Sequence, residues 1–431
     1  MNCEKINEEL LEFLDKSPTC FHAIDYVKKK LEKQGYQQLL EGKTWNLEEG
    51  GKYYVTRNLS SIIAFQIPKK DFTGFMIGAS HSDSPTFKIK DNPEIVSDGY
   101  VKLNVERYGG ALFHTWFDRP LSVAGRIVYR EGNKLISKLV NLDRDLLMIP
   151  SLAIHMNRKV NDESSLNAQT DMLPIIGSEE CKGELMKEVS DGKEILGHDL
   201  FLYIRDKGSV WGAKQEYVSH GRLDDLQCGY GNMIGFLEST PKNSVPVFAI
   251  FDNEEVGSLT KQGANSTFLE DILTRICFAC GKDKEQEKTA VASSFMVSAD
   301  NAHAVHPNHG EKADPVNRPQ MNKGIVIKFN ANQKYTTDAV AQGFFKDLCN
   351  SVNVPTQSFT NRSDMLGGST LGNLSNSHVS LNTVDIGLAQ LAMHSCYETA
   401  GTKDTEYLAK AMQKFFSSSF IQEEEGTYLI Y

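Results

Sequence analysis

Val245-Pro246-Val247-Phe248-Ala249-Ile250-Phe251-Asp252-Asn253-Glu254-Glu255-Val256-Gly257 is the stretch whose reading decides the fold. An apolar run of this length, broken by a glycine turn, reads as a buried strand. Acids at its carboxyl end stand in the crevice where open α/β sheets place their ligands. Read alone, Glu254-Glu255 fits a solvated strand-to-loop turn better than a site. The sharper reading gives one glutamate to a metal ion and leaves the other free to take a proton from water.

The rest of the chain favours the sharper reading by repeating the pattern. Phe295-Met296-Val297-Ser298-Ala299-Asp300 is a second apolar run closing on an acid, followed by Asn301-Ala302-His303. A third, Gly74 to Ser80, closes on His81-Ser82-Asp83. A ligating histidine is usually fixed by a carboxylate on its other ring nitrogen, and Asp83 is near enough to His81 to serve. Gly221-Arg222-Leu223-Asp224-Asp225 adds an acid pair, and Gln390-Leu391-Ala392-Met393-His394-Ser395 adds a histidine expected to open a helix. Histidine and carboxylate without cysteine are the donors expected for zinc, cobalt or manganese in a hydrolytic site.

Taken in chain order, His81-Ser82-Asp83-Ser84-Pro85, Gly221 to Asp224, Asp252 to Ser258, Ser298 to Asn308 and Gln390 to Ser395 resemble the segments of the aspartyl aminopeptidases. Arg362-Ser363-Asp364-Met365 followed by Gly367-Gly368-Ser369-Thr370-Leu371-Gly372 resembles the bacterial branch. The resemblance implies a dinuclear metallo-aminopeptidase that hydrolyses the N-terminal residue of peptides, with a preference for Asp or Glu there. It implies two divalent ions per subunit, zinc first with cobalt or manganese as substitutes. One ion would be held by His81 and Asp300, the other by Glu255 and His394, with Asp224 bridging. It gives Glu254 the role of general base and Asp83 that of orienting His81. It points to Tyr335, His303 and His306 around the substrate; a basic group there would select an acidic side chain by a charge-assisted hydrogen bond, and the candidate is Lys328, at the end of the strand-like run Gly324 to Phe329. Read from the residues alone, Lys328 fits an edge-strand lysine as well. His155 would reach into the site of a neighbouring subunit, and the Asp224–Asp225 peptide bond would be cis.

The organisation follows from periodicity. Glu8 to Gly35 reads as two helices broken near Ser17-Pro18-Thr19. From about Val101 to Gly212 the character is β-rich; Leu121 to Tyr129 ends in the turn signal Arg130-Glu131-Gly132-Asn133. The amphipathic segment Thr405 to Phe416 reads as a helix. The expected fold class is therefore α/β: a mixed-sheet metallopeptidase catalytic domain (1–92 and 217–431) flanked by helices, interrupted by a smaller β-rich insert (93–216). The resemblance adds that the insert mediates dimerisation and that dimers assemble into a dodecamer.

A chain of 431 residues exceeds one compact core, and 40% hydrophobic with 24% charged residues is ordinary for a globular enzyme. The formal net charge of -10 argues against a general nucleic-acid binder. No apolar run reaches membrane-spanning length and the first ten residues lack a signal-peptide core, so a cytoplasmic enzyme is expected. The eight cysteines are scattered, and Cys277-Phe278-Ala279-Cys280 reads as part of a helix rather than a zinc or redox motif. Gly229-Tyr230-Gly231-Asn232-Met233-Ile234-Gly235 is one residue off a dinucleotide fingerprint and reads as helix entry. His309, next to His303 and His306, is expected to be solvated. Two other functions stay open at this level: another dinuclear hydrolase, such as a broad or neutral-residue aminopeptidase, a deacylase or a carboxypeptidase, and a non-catalytic metal-stabilised assembly protein.

Overall fold

The computed structural model describes residues 2–163 and 165–431. Its central element is a nine-stranded sheet. Across it the strands run Gln37–Gln38, Lys52–Arg57, Ser61–Gln66, Val245–Phe251, Phe75–His81, Phe295–Ala299, Asn382–Gly387, Ile325–Lys328 and Thr356–Phe359. Val245–Phe251, Phe75–His81, Phe295–Ala299 and Asn382–Gly387 are mutually parallel, and the strands outside them bring antiparallel pairings. Phe251 is level with His81, Ser298 with Ala79, and Ala299 with Ile386. Parallel pairing puts the carboxyl ends of all four strands on one edge, which explains why the apolar runs are continuous rather than alternating: they are covered on both faces.

On one face lie the helices Cys3–Asp15, Cys20–Lys33, Leu223–Leu237, Ala339–Ser351 and Asp404–Phe416, their apolar stripes forming one core with the sheet. The first shows the logic of the set. Ile6, Leu10, Phe13 and Leu14 recur on one side, and the Asn2 side chain caps the start by accepting from the Glu4 N–H at 3.0 Å. It stops before Pro18, which disfavours helix at the residue preceding it. On the other face Phe268–Ala279, Lys284–Ala292 and Leu371–Asn376 build a second core. Cys277 lies buried within the first of these three helices, as its sequence suggested.

The glycines of the near-fingerprint sit in the body of Leu223–Leu237, not at its entry. A β-carbon at Gly231 would come within 2.7 Å of Leu408, and one at Gly235 within 2.6 Å of Met412. These glycines therefore let this helix press against Asp404–Phe416, which accounts for the motif without a cofactor.

A six-stranded antiparallel sheet is built from Lys134–Asn141, Leu121–Glu131, Ile195–Ile204, Thr86–Ser97, Tyr100–Tyr108 and Ile175–Ser178 in that spatial order. It has its own core, in which Trp116, Phe87 and Leu200 are buried with Leu185 and Val189 of the short helix Glu184–Ser190. Position 93, the expected start of the insert, falls inside Thr86–Ser97, so this sheet begins several residues earlier. At the other end Ser209–Trp211, counted with the insert, pairs instead with Tyr217–His220 in a separate five-stranded sheet.

One helix expectation fails. His394 does not open a helix; it lies in the turn between Ala389–Leu391 and Glu398–Gly401. Ala392 and His394 have φ of 56° and 67°, left-handed values incompatible with a helix, and the His394 N–H donates to Glu398 Oε1 at 2.8 Å. Among the described residues no helix is long and apolar enough to cross a membrane.

Candidate metal centre

The acids and histidines singled out around the strand ends arrive from several elements. His81 ends its strand, Glu254 and Glu255 form a single 3-10 turn after Phe251, and Asp300 follows Ala299 directly. Asp224 sits at the kinked start of Leu223–Leu237, where its backbone is non-helical and its peptide bond to Asp225 is cis. Residues beside the acids and histidines adopt left-handed backbone: Arg222 at φ 65°, Asn253 at 62°, and His394 itself at 67°. For non-glycine residues such geometry costs on the order of 1–3 kcal/mol each, and it persists where surrounding structure fixes it.

The side chains meet. His81 Nε2 faces Asp224 Oδ1 at 3.5 Å, while Asp224 Oδ2 faces His394 Nε2 at 3.7 Å. His394 Nε2 is also 3.4 Å from Glu255 Oε2. Three groups, His81–Asp224–Asp300, Asp224–Glu255–His394 and His81–Glu254–Glu255, each hold their donor atoms within 4.8 Å of one another. Asp224 belongs to the first two of these and so stands between them. Lys328 and Tyr335 line the same pocket, as does His303 at its rim.

Both histidines present Nε2 inward because Nδ1 is otherwise engaged. His81 Nδ1 lies 3.1 Å from the Asp83 carbonyl and 3.4 Å from Asp83 Oδ1; His394 Nδ1 lies 3.1 Å from the Gly110 carbonyl. An acceptor at Nδ1 selects the tautomer whose Nε2 lone pair is free for a ligand. Asp83 does more, since its carboxylate accepts from the backbone N–H of Glu254 at 3.1 Å and of Glu255 at 3.2 Å. It therefore ties the His81 loop to the Glu254-Glu255 turn.

The electrostatics are costly without a cation. Burial, together with Asp300, Asp83 and Asp224, pushes the Glu254 carboxyl up to about 8. Burial lifts Asp300 to about 6 even with Lys328 near it, and lifts Glu255 and Asp225 well above the carboxylate range. His81 would lose its proton on burial alone, but Asp224 and Asp83 hold it well above its ordinary value. Asp224 Oδ1 is buried and, among the described residues, accepts no hydrogen bond. A crowd of buried acids around an orphaned oxygen and two free imidazole nitrogens is a donor set that fits divalent metal ions.

Not every expected residue comes to the pocket. Lys328 is buried on a strand flanked on both sides, not at an edge; its Nζ donates to the Asn301 carbonyl at 2.8 Å and lies 3.7 Å from Asp300 Oδ2. His306 is exposed and stands apart, its ring 5.0 Å from that of His309, which is exposed as expected. His155 is exposed on a loop and is not in this pocket. Sequence reading missed Glu398, whose buried carboxylate accepts from the Asp224 N–H at 3.0 Å as well as from His394. It also missed Asp225 Oδ2, which accepts from the His81 N–H at 3.1 Å, and Tyr108, whose hydroxyl donates to Asp83 Oδ2 at 2.8 Å. Only Asp225 had a local signal, as the second acid of a pair. The glycine-rich turn places Gly368, Ser369 and Thr370 on the pocket wall.

A mixed sheet sandwiched by helices, with a histidine and carboxylate pocket at its parallel edge, is the framework of a metal-dependent hydrolase. The chain belongs to the aminopeptidase I zinc metalloprotease family (M18), whose family model matches residues 13–416. An M18 family aminopeptidase 2 of Clostridium novyi is 48% identical over 427 residues, covering 96% of this chain and 99% of the relative. A cryo-EM structure of an Ape4 and Nbr1 complex superposes with a TM-score of 0.91 at 38% identity, over 96% of this chain and 86% of that one. The S. cerevisiae mApe1 dodecamer superposes with a TM-score of 0.85 at 28% identity, over 96% and 97%. The protein is thus a metallopeptidase of the aminopeptidase class, and the non-catalytic alternative is set aside.

Proposed function

We propose that the protein removes the N-terminal residue of peptides, preferring Asp or Glu there, with two divalent cations per subunit, zinc foremost. The carrying observation is that Asp224 is shared by two histidine-containing donor groups at one strand edge. In this reading His81 and Asp300 hold one ion, Glu255 and His394 the other, and Asp224 bridges. When bound, the ions supply Lewis acidity toward the scissile carbonyl and acidify water. Glu254, in the same pocket, takes the proton from the attacking water and returns it to the departing amine nitrogen. Asp83 keeps His81 turned and holds the Glu254 turn against it. Lys328, beneath Tyr335 with Nζ 5.5 Å from the ring centroid, offers its charge to an acidic side chain of the substrate. His303 joins it at the rim.

The six-stranded sheet, having its own core and running from Thr86–Ser97 to Ile195–Ile204, serves as the inserted dimerisation domain between two parts of the catalytic domain. His155 and His306 are then substrate-binding residues completed by assembly, His155 from the neighbouring subunit. Its loop exposes Leu152, Ile154 and Met156, an apolar surface suited to a copy of the chain. The yeast relative named as a dodecamer supports homo-oligomerisation. Eight unpaired cysteines accord with the cytoplasm.

The test is a panel of aminoacyl reporter substrates with zinc, cobalt or manganese, each substrate with free and acetylated α-amine. Cleavage confined to free amines, fastest for Asp or Glu, is the expected result. Cleavage of acetylated substrates points instead to a deacylase or carboxypeptidase, and equal rates across side chains to a broad aminopeptidase.

A further inference from the structure

One short segment of the six-stranded sheet's part of the chain bonds to both histidine sides of the candidate centre. Where Tyr100–Tyr108 leaves that sheet, residues 108–112 reach both histidine sides of the centre from behind their Nδ1 atoms and supporting loops. At one end the Tyr108 hydroxyl donates to Asp83 Oδ2 at 2.8 Å and accepts from Asn253 Nδ2 at 2.7 Å. Asp83 faces His81, and Asn253 directly precedes Glu254. At the other end the Gly110 carbonyl is 3.1 Å from His394 Nδ1, and the Leu112 N–H donates to the His394 carbonyl at 3.0 Å. With Glu398 on its N–H, His394 has its backbone N–H, its carbonyl and Nδ1 all held, leaving Nε2 free toward Asp224 and Glu255.

The two glycines are required by this fit. Gly109 has φ +72°, and a β-carbon there would stand 3.1 Å from Glu255 Cβ. A β-carbon on Gly110 would stand 3.2 Å from His394 Nδ1, closer than nine in ten real contacts of that kind. Any side chain at either position pushes against Glu255 or His394.

We propose that Tyr108, Gly109, Gly110 and Leu112 are positioning residues of the metal centre, through which the inserted sheet sets how tightly each histidine side holds its divalent cation. This rests on the two-cation reading above. The physical cause is orientation: an outer partner that fixes a ligand's ring and tautomer typically accounts for 10- to 100-fold in metal affinity. Gly110 acts on His394 alone, whereas Tyr108 acts on the Asp83 and Asn253 loops that carry His81 and the glutamates.

The test strips the full-length chain of metal and titrates it with Zn²⁺ by calorimetry, with Co²⁺ absorption as a second readout. Gly110→Ala is expected to weaken one of two binding steps at least tenfold and to leave the other within about twofold. Tyr108→Phe, which removes a single oxygen and keeps the ring, is expected to weaken the opposite step by a smaller factor. Lys134→Ala, exposed at the start of the strand Lys134–Asn141 in the same sheet, should leave both steps as in the wild type. If Gly110→Ala lowers the melting temperature of the metal-free chain, Tyr108→Phe alone decides. Two wild-type steps unchanged in the well-folded variants overturn this inference and spare the proposed function. A wild-type chain that binds fewer than two Zn²⁺ overturns both.

Discussion

The two histidine sides of the centre are built differently. His81 is inside the main sheet, its side chain 1% exposed, and its orienting partner Asp83 comes from the same loop. His394 sits on a turn, its side chain 31% exposed, and its ring is oriented by a carbonyl from the other sheet. One side takes its orienting residue from its own loop, which the other sheet reaches only indirectly through Tyr108 and Asp83, while the other side has its ring held directly by that sheet's Gly110. The difference teaches that a shared metal centre can have one preorganised half and one conditional half. The conditional half is the one open to solvent and hence to exchange.

Asp224→Asn strikes what the sides have in common and has the largest expected effect. Both cations should be lost, with affinity reduced more than about 100-fold at each step, and activity with them; metal analysis after dialysis checks it. Retention of one tightly held ion would show that the two sides do not share this acid. Glu254→Gln leaves both sides standing and removes only the base: bound metal should stay at the wild-type level while kcat falls roughly 10²- to 10⁴-fold. A variant retaining full activity would sink the assignment of Glu254.

His394→Ala separates the halves. One binding step should vanish and the His81 step persist, read as a single remaining transition in a Zn²⁺ titration. Loss of both would mean that the buried side depends on the exposed one, reversing the comparison. Lys328→Met addresses the substrate next to the buried side. It should raise KM for Asp- and Glu-terminal peptides by about 10- to 100-fold, the worth of a hydrogen bond to a charged group, and change neutral substrates little.

The smallest effect belongs to a group outside both halves. Burial pushes the His22 imidazole from 6.5 down to about 4, where it sits 2.8 Å from Thr19 Oγ1. Between those values the unfolded chain binds the extra proton, so stability is full above pH 6.5 and declines as pH falls toward 4. The loss is on the order of 3 kcal/mol at most. His22→Gln should flatten that slope in denaturant melts of the metal-free chain. Without this correction, acid loss of metal would be mistaken for a property of the histidine pair.

How much of this was legible depends on which half is considered. The buried side announces itself locally, because a strand covered on both faces must be apolar and its first polar residues mark the edge; Glu254, Glu255, Asp300 and His81 were all read that way. Asp224 came from an acid pair and family resemblance. The exposed side hides, since Gly110 contributes a carbonyl that every residue possesses and Tyr108 is 145 positions from Asn253. Glu398 follows His394 closely, yet its carboxylate caps backbone amides, a use that leaves no pattern. The helix expected to open at His394 fails because tertiary contacts override local propensity there: Glu398, Leu112 and Gly110 hold its N–H, carbonyl and Nδ1 in a turn.

The order of the strands in the sheet is not their order in the chain: the strand ending at His81 lies between Val245–Phe251 and Phe295–Ala299. A nascent chain that has exposed His81 still lacks every neighbour of that histidine's strand. Even after Asp300 emerges, the pocket is short of His394 and of the carboxylate that pins it. Translation therefore carries its own safeguard, because a growing polypeptide of this kind cannot trim nearby peptides until nearly all of it has been made.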